Sequence, residues 1–174
     1  MSKPVIIGAY NPDWPNIYRK EEQLIKETLG NRIKAIEHIG STAVPNLGAK
    51  NIIDIMAGVN SLKEADECLP PLDKIGYKDV LPQPGETEWY YCVGKGPHSV
   101  GYHQHLVKHI SEHWKRQIAF RDFLRNNPGT AREYFNLKKQ LAAKYPTDRL
   151  AYTEAKTEFV KQTLAHAYTM FFSV

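Results

Sequence analysis

Apolar residues change their spacing near residue 110, and this change divides the chain into two parts. Before it, short apolar runs that are continuous or alternate with polar residues predict β-strands, because successive side chains of a strand point to opposite faces. The predicted strands lie at 33–39, 51–59, 77–80, 89–93 and 100–107. After it, apolar residues recur roughly every three to four positions, which is typical of amphipathic helices.

The predicted helices begin at residue types that commonly cap a helix. They start at Asp13, Ser61, Ser111, Asn127 and Asp148. Gly30 is predicted to end the first helix, since glycine often occupies the C-terminal cap. Pro70 and Pro71 are predicted to end or kink the second helix, because proline lacks a backbone N–H. The last helix is predicted to carry an apolar stripe from Tyr152 to Tyr168.

These elements predict a single domain of the α/β (α+β) class over residues 1–174. A mixed sheet with helices accounts for about residues 1–109, and a helical layer that packs on it accounts for about 110–174. A chain of 174 residues is long enough to bury a substantial core.

The composition is that of a globular protein, with 42% hydrophobic and 24% charged residues. No stretch approaches the roughly 18 to 20 apolar residues of a membrane span, and the apolar run near residue 5 is too short for a secretory signal. The two cysteines, Cys68 and Cys92, match neither a disulfide framework nor a zinc motif. We therefore expect a cytoplasmic protein without a membrane partner.

The net charge of the chain and the distribution of its charged residues limit the kinds of molecule that it is expected to bind. The net charge is only +4, and 23 basic residues are mixed among 19 acidic ones. Nucleic-acid binders concentrate Lys and Arg on one face, so no nucleic-acid partner is expected. A cleft that focuses positive potential would instead favour an anionic small molecule. The sequence does not predict an oligomeric state.

The segment 38–45, His-Ile-Gly-Ser-Thr-Ala-Val-Pro, joins a predicted strand to a small polar turn. Gly40 has no Cβ, so its backbone can approach a bulky anion. Ser41 and Thr42 add hydroxyl groups, and successive amides in such a turn can form an anion-binding hollow. We predict that this turn, 40–42, holds a phosphate.

Asp54 lies on the next predicted strand, in a nearly continuous apolar run. Alternation places Asp54 and Met56 on one face of the strand and Ile53 and Ile55 on the other. A carboxylate in such a strand needs a cation or hydrogen bonds as compensation. Two alternatives therefore remain: Asp54 binds a metal ion or ligand, or it only accepts hydrogen bonds from amides of the turn.

Histidines supply further candidates. His103 and His105 share one face of a predicted strand, and this spacing allows both to ligate one metal ion or to donate to a phosphate. His38 shares a face with the glycine of the turn. Glu86 and Glu88 precede the fourth strand and offer additional carboxylates. The alternative for each is a structural role, as a hydrogen-bonded histidine or a solvated glutamate.

The C-terminal helices carry cations within reach of an anion in the cleft. The candidates are Arg121, Arg125, Lys138, Lys139 and Lys156. Most such charges belong to exposed helix faces, so each has a solvated role as its alternative. Tyr152 and Lys156 are four residues apart and are predicted to share a helical face.

Several segments together resemble the GrpB family. They are Tyr10–Pro15, Glu37–Pro45 with Leu47, Lys50–Ile55, the His-x-His strand, Phe120–Arg125, Leu137–Lys138, and Tyr152 with Lys156. The resemblance covers nearly the whole chain. It implies a nucleotidyltransferase-like mixed sheet flanked by helices, and a nucleotide-related context, since the family also occurs fused to dephospho-coenzyme A kinase.

In the nucleotidyltransferase-fold superfamily, a Gly-Ser turn precedes a strand that bears two carboxylates, and a later strand bears a third. The resemblance implies that the turn holds nucleotide phosphates and that Asp54 binds Mg²⁺ or Mn²⁺. Met56 stands where the second carboxylate is expected, and methionine does not ligate Mg²⁺. His103 and His105 fall roughly where the third is expected and are suited to Mn²⁺ or Zn²⁺.

The candidate site therefore has two groups of residues. The catalytic and metal-binding candidates are Asp54, His103 and His105; the nucleotide-binding candidates are His38, Gly40, Ser41, Thr42, Lys138, Tyr152 and Lys156.

Three functions remain open. The first is metal-dependent transfer of a nucleotidyl group from a nucleoside triphosphate to a small acceptor. The second is a non-catalytic module that binds a nucleotide or phosphorylated metabolite, which the methionine at position 56 favours. The third is a phosphoesterase built on a histidine-bound metal.

Overall fold

A five-stranded mixed sheet forms the centre of the computed structural model, which describes residues 4–80, 90–96 and 100–172. The strands are β1 (Ala35–Ile39), β2 (Ile52–Val59), β3 (Asp79–Val80), β4 (Tyr90–Lys95) and β5 (Gly101–Lys108). Their spatial order is β1-β2-β5-β4-β3. The β2–β5 pair is parallel and the other three pairs are antiparallel. The predicted mixed α/β architecture is confirmed.

Helices cover both faces of this sheet. They are α1 (Trp14–Leu29), α2 (Leu62–Lys74), α3 (Glu112–Asn126), α4 (Pro128–Lys144), α5 (Arg149–Glu154) and α6 (Thr157–Phe172). In the described ranges, no helix combines the length and the apolar character that crossing a membrane would require. Glu86 and Glu88 lie outside the described residues.

The central strand β2 is buried on both faces, which explains its nearly continuous apolar sequence. Ile53 and Ile55 face a core shared with α1 and α2. Met56 faces the opposite side, where it packs with Trp114 of α3. The alternation predicted from the sequence is confirmed, and it leaves Asp54 on the face that carries α3.

Helix α2 corrects one prediction. It continues through Pro70 and Pro71 and ends only at Lys74. Cys68 and Leu72, which flank the proline pair, have no solvent exposure and pack in the core. Burial on both sides of the prolines therefore maintains the helix where local propensity predicts an end.

The last predicted helix is two helices. The chain leaves α5 through a tight turn in which the Lys156 amide donates to the Thr153 carbonyl, and α6 then begins at Thr157. Tyr152 and Lys156 therefore do not share one continuous helix. The strands differ less from prediction: β3 is shorter than the predicted strand at 77–80, and β4 ends at Lys95, two residues beyond the predicted end at 93.

The helical layer packs on the loop that joins β1 to β2. Val44 and Leu47 of that loop contact Leu124 of α3 and Tyr134 of α4 in a small core. This packing brings the middle of α4 next to the Gly-Ser turn. The tertiary structure thus joins residues almost 100 positions apart in sequence, such as Ser41 and Lys138.

Candidate functional site

The Gly-Ser turn and Asp54 are in direct contact. Strand β1 ends at Ile39, which is opposite Asp54 in the antiparallel register, and Gly40 follows with φ 71° and ψ −171°. That backbone conformation is accessible essentially only to glycine. A Cβ at Gly40 would also lie 2.6 Å from Asp54 Oδ2. Glycine is therefore required here both by its backbone angles and by the carboxylate beside it.

Asp54 lies between two histidines of the adjacent parallel strand β5. Asp54 Oδ1 is 3.2 Å from His103 Nδ1 and 3.2 Å from His105 Nε2. Partial burial favours the neutral acid, but hydrogen bonds from both histidines outweigh it and hold the pKa of Asp54 below its usual range. The Asp54 side chain is 28% exposed, so it opens to the cleft and is not sealed in the core.

These three side chains have the chemistry and spacing of a metal site. Their ligand atoms, one oxygen and two imidazole nitrogens, all lie within 4.8 Å of one another. Adjacent ligands of an ion bound at about 2.1 Å are about 3.0 to 3.4 Å apart at tetrahedral to octahedral angles. The observed 3.2 Å contacts match that spacing. Two nitrogens and one oxygen suit Mn²⁺ or Zn²⁺ better than Mg²⁺, which prefers oxygen ligands.

Position 56, where the resemblance implies a second carboxylate, is closed to solvent. Met56 has no solvent exposure and packs with Ile39, Val107 and Trp114. Strand β2 therefore contributes one ligand, Asp54, to the cleft.

Lys138 contacts the turn from the opposite side. Its Nζ donates to Ser41 Oγ at 2.8 Å and to the Gly48 carbonyl at 2.7 Å. It also lies 4.8 Å from the centroid of the Tyr134 ring. Burial, together with the charges of Lys156 and Lys50, lowers the pKa of Lys138 to about 7.

Lys50 and Lys156 complete a group of cations around Tyr152, which is almost fully buried. Each ammonium lies 4.5 Å from the centroid of the Tyr152 ring. Burial, with a contribution from Lys50, lowers the pKa of Lys156 to about 8, and burial lowers that of Lys50 as well. Within the described ranges, Lys50, Lys138 and Lys156 form no ion pair with a carboxylate. Such a group of unpaired cations favours binding of an anion.

Both groups line one cleft of about 450 Å³. Its polar lining is Gly40, Ser41, Thr42, Lys50, Asp54, His103, His105, Gln117, Tyr134, Lys138, Tyr152, Thr153 and Lys156. The Asp54–histidine group and the lysine group thus meet in a space of the size that small-molecule ligands occupy. Of the ten residues in the two candidate groups, nine line this cleft, and His38 is the exception.

His38 faces a different cleft. It is paired with Ile55 in the strand register and is directed away from Asp54, where it stacks on Tyr18 with a centroid distance of 4.5 Å. Its Nε2 is 2.9 Å from Thr42 Oγ1. Burial lowers the pKa of His38 to about 4, so it is neutral at pH 7. In this structure His38 supports the turn from behind and does not line the Asp54 cleft.

Three predicted cations also lie away from the Asp54 cleft. Arg121 binds Glu37 and the His38 carbonyl, and Arg125 donates to the Ala43 carbonyl. Lys139 is exposed, with its ammonium 5.4 Å from the centroid of a neighbouring phenylalanine ring. The two arginines therefore tie α3 to β1 and the turn and do not bind an anion in the Asp54 cleft.

Sequence reasoning missed several lining residues. They are Lys50, Gln117, Tyr134 and Thr153. Lys50 stands two residues before β2 and four before Asp54, so it was the easiest of these to find from the sequence. The others carry no local signal, because their place in the cleft depends on how α3, α4 and α5 pack.

The fold and this cleft define an α/β protein with an Asp-His-His group and a lysine group in one pocket. Comparison with known proteins identifies the family. Residues 4–166 match the sequence pattern of the family described as "GrpB protein". The chain therefore belongs to the GrpB family.

Individual relatives agree with this assignment. The chain is 34% identical over 163 residues to glutamate-rich protein GrpB of Alkalihalophilus pseudofirmus, covering 92% of this chain and 94% of that protein. It resembles the crystal structure of conserved protein GrpB from Enterococcus faecalis, with 33% identity, a TM-score of 0.85, and coverage of 97% of this chain and 100% of the other.

A third relative has a different name. The chain is 29% identical over 176 residues to a dephospho-CoA kinase of Mycobacterium tuberculosis. This match covers 88% of the present chain but only 43% of the kinase.

Proposed function

We propose that this protein is a metal-dependent nucleotidyltransferase that acts on a small molecule. The observation that carries the proposal is the cleft in which three potential metal donors face three lysines that form no ion pair with a carboxylate of the described residues. A nucleoside triphosphate needs both, because a divalent ion and ammonium groups together offset the charge of its phosphates. Similarity to a protein named dephospho-CoA kinase supports a phosphate-related role.

Each group of the cleft has a distinct task in this proposal. Gly40 and Ser41 approach the phosphates, because the turn has a glycine without Cβ and a hydroxyl group next to it. Lys50, Lys138 and Lys156 attract and orient the phosphates. Tyr152 keeps two of these lysines in place through its ring.

Asp54, His103 and His105 would hold the divalent ion. When bound, such an ion acts as a Lewis acid that polarises a phosphoryl oxygen. The donor set favours Mn²⁺ or Zn²⁺ over Mg²⁺. The small acceptor has room in the same cleft, whose volume of about 450 Å³ falls within the usual range for ligand pockets.

Met56 supports a second candidate, a non-catalytic module that binds a nucleotide or phosphorylated metabolite. Two-metal transfer uses carboxylates that bridge ions about 3.5 to 4 Å apart, and the second carboxylate position is occupied by a buried methionine. The His103–His105 pair supports the third, a phosphoesterase with a histidine-bound metal.

Calorimetric titration with ATP, CTP, GTP and UTP in the presence of Mn²⁺, Zn²⁺ or Mg²⁺ tests the proposal, followed by an assay for pyrophosphate release. We expect one triphosphate to bind, and Asp54→Ala to abolish metal-dependent binding. Glu37→Ala, which removes a carboxylate near the turn but outside the cleft, is the control and should still bind. Absence of binding by the natural chain would eliminate the proposal.

The same assays separate the candidates. Binding without pyrophosphate release indicates the non-catalytic module. Release of inorganic phosphate from simple phosphate esters, lost in His103→Ala together with a bound transition metal, indicates the phosphoesterase.

A further inference from the structure

Ser41 and Lys138 form a hydrogen-bonded pair whose environment is unusual for a lysine. Lys138 is only 3% exposed, and its Nζ is bonded to a hydroxyl and to the Gly48 carbonyl, with no carboxylate partner among residues 4–80, 90–96 and 100–172. Buried lysines are nearly always paired with an acid. The nearest positive groups, Lys50 and Lys156, disfavour the charged form of Lys138 further.

These contacts fit a neutral amine well. A neutral amine has two N–H donors and one lone pair. Lys138 Nζ donates to the Gly48 carbonyl at 2.7 Å and to Ser41 Oγ at 2.8 Å. In the neutral amine the contact with Ser41 can reverse, so that the lone pair accepts the Ser41 hydroxyl proton. Because burial lowers the pKa of Lys138 to about 7, the neutral form is populated near pH 7. The second N–H remains for an oxygen of a ligand.

Other ionisable groups that face Lys138 come from several elements. Asp54 of β2 stabilises its charged form; Lys50 and Lys156 oppose it. Tyr134 of α4 stacks against its ammonium, and burial raises the pKa of that phenol so that it stays neutral. Their combined effect leaves Lys138 able to accept a proton near neutral pH.

We infer that Ser41 is a nucleophile and Lys138 its general base, so that the reaction passes through a nucleotidyl-serine intermediate. This inference rests on the proposed function, since the co-reactant is a nucleoside triphosphate. Serine–lysine pairs act in this way in unrelated enzymes. The pair lines the same cleft as Asp54, and Gly40, adjacent to Ser41, contacts that carboxylate. A triphosphate held on the turn therefore brings phosphorus close to Ser41 Oγ.

The chemistry balances in two steps. In the first, Ser41 Oγ forms a bond to the α-phosphorus, its proton passes to Lys138 Nζ, and the bond from the α-phosphorus to the bridging oxygen breaks, so that pyrophosphate leaves with the electron pair. In the second, a hydroxyl group of the acceptor attacks the same phosphorus. The Ser41 oxygen then leaves, is reprotonated by Lys138, and the proton lost by the acceptor goes to solvent.

The first step can be measured without knowing the acceptor. The full chain is incubated with each nucleoside triphosphate and Mn²⁺, with no acceptor present. Intact-mass and peptide analysis would detect a nucleotidyl group on the peptide containing Ser41. In parallel, labelled pyrophosphate would exchange into the triphosphate, because the first step is reversible.

Three variants test the assignment. We expect Ser41→Ala to abolish both the adduct and the exchange. Lys138→Arg retains the positive charge but cannot act as a base at neutral pH, so exchange should fall by about 100-fold or more while triphosphate binding persists. Lys139→Arg, on the exposed neighbouring position, is the matched control and should exchange like the natural chain. Thermal unfolding of each variant verifies that it is folded.

The outcomes distinguish this inference from the proposed function. A triphosphate that binds with neither adduct nor exchange, or exchange that survives in Ser41→Ala, overturns the nucleophile while leaving the proposed function intact. Absence of triphosphate binding by the natural chain overturns both. If Lys138→Arg is unfolded, Ser41→Ala and the mapped position of the adduct still decide the question.

Discussion

Gly40 is constrained both by its backbone conformation and by its contact with Asp54 in the candidate site. Its positive φ is costly for any other residue, and its Cα is so close to Asp54 that a methyl group would overlap the carboxylate. Gly30 has a positive φ as well, but a Cβ there would meet nothing within 4 Å. A substitution at either glycine would strain the backbone, but of the two only Gly40 has a neighbour that a Cβ would overlap.

We expect Gly30→Ala to lower the free energy of unfolding by about 1 to 3 kcal/mol from backbone strain alone. Gly40→Ala should lower it further and also weaken binding of Mn²⁺ or Zn²⁺, because Asp54 must move. Urea unfolding and metal titration measure these two effects. Equal losses in both variants, with unchanged metal binding, would mean that contact with Asp54 is not what requires glycine at position 40.

At the scale of single residues, five candidates from the sequence line one cleft: Asp54, His103, His105, Ser41 and Lys138. Period-two alternation places the two histidines on one face of β5, and the parallel pairing of β2 with β5 then sets His103 opposite Asp54. It was misleading for His38. Alternation gives His38 the face of Gly40, but the chain turns at Gly40 and the His38 ring faces Tyr18.

Strand β2 is the element on which the site depends. It presents Asp54 where the helical layer leaves an opening, and two residues later it presents Met56 beneath Trp114 of α3. One face of β2 is therefore partly exposed to solvent at Asp54 and fully buried at Met56, two residues later. This difference follows from the placement of α3.

A carboxylate introduced at position 56 should therefore unfold the protein rather than create a second metal site. We expect Met56→Asp to lower the free energy of unfolding by about 4 kcal/mol or more, because it buries an unpaired charge and removes core packing. Met56→Leu should cost less than about 1.5 kcal/mol. Chemical unfolding of both variants provides the measurement. A stable Met56→Asp protein with enhanced Mg²⁺-dependent turnover would show that the position can reach the cleft.

The helices were predictable where capping and periodicity agree. Asp13, Ser111 and Asn127 precede α1, α3 and α4 as expected from the sequence. Prediction failed where tertiary burial outweighs local propensity, as at Pro70 and Pro71 in α2. Prediction also failed at Lys156, where a tight backbone turn separates α5 from α6. This turn contains no proline or glycine, so the local sequence does not indicate a break in the helix.

At the scale of the whole molecule, the cleft lies between the sheet and the helical layer. The sheet contributes the Asp54–histidine group, and α4 with the α5–α6 segment contributes Lys138, Tyr152 and Lys156. Packing in this layer lowers the pKa of Lys138 to about 7 and that of Lys156 to about 8. Binding of an anion by this protein should therefore depend on pH in the range where most proteins keep lysines fully charged.

The direction of this pH dependence follows from the fact that the protonated lysine binds the anion. An anion is attracted to the charged form of Lys156, so its binding raises the pKa of Lys156 and takes up a proton; affinity must then fall as the pH rises through and above 8. From pH 7.5 to 9.5 we expect the affinity for ADP to fall about tenfold or more. Calorimetry at several pH values, in buffers of different ionisation enthalpy, measures both affinity and proton uptake.

Lys156→Met should bind ADP more weakly at pH 7.5 and show a flatter pH profile, while the exposed Lys139→Met should behave like the natural chain. The remaining groups around the lysines, Asp54, Tyr134 and Tyr152, keep their charge state across this interval, since the carboxyl pKa is lowered and both phenol pKa values are raised. An affinity independent of pH would show that the lysines do not contact the anion.

By itself the sequence determined the two-part architecture, the strand that carries Asp54 and the glycine turn that precedes it. These features depend on short-range periodicity and on the stereochemistry of glycine, both of which are local. The tertiary structure alone decided that α4 lies against the turn, that Met56 is sealed, that Arg121 and Arg125 are used as structural ties, and that Lys50 joins the lysine group. The physical reason is that each of these outcomes depends on which distant helix covers a given face, and no local pattern encodes that choice.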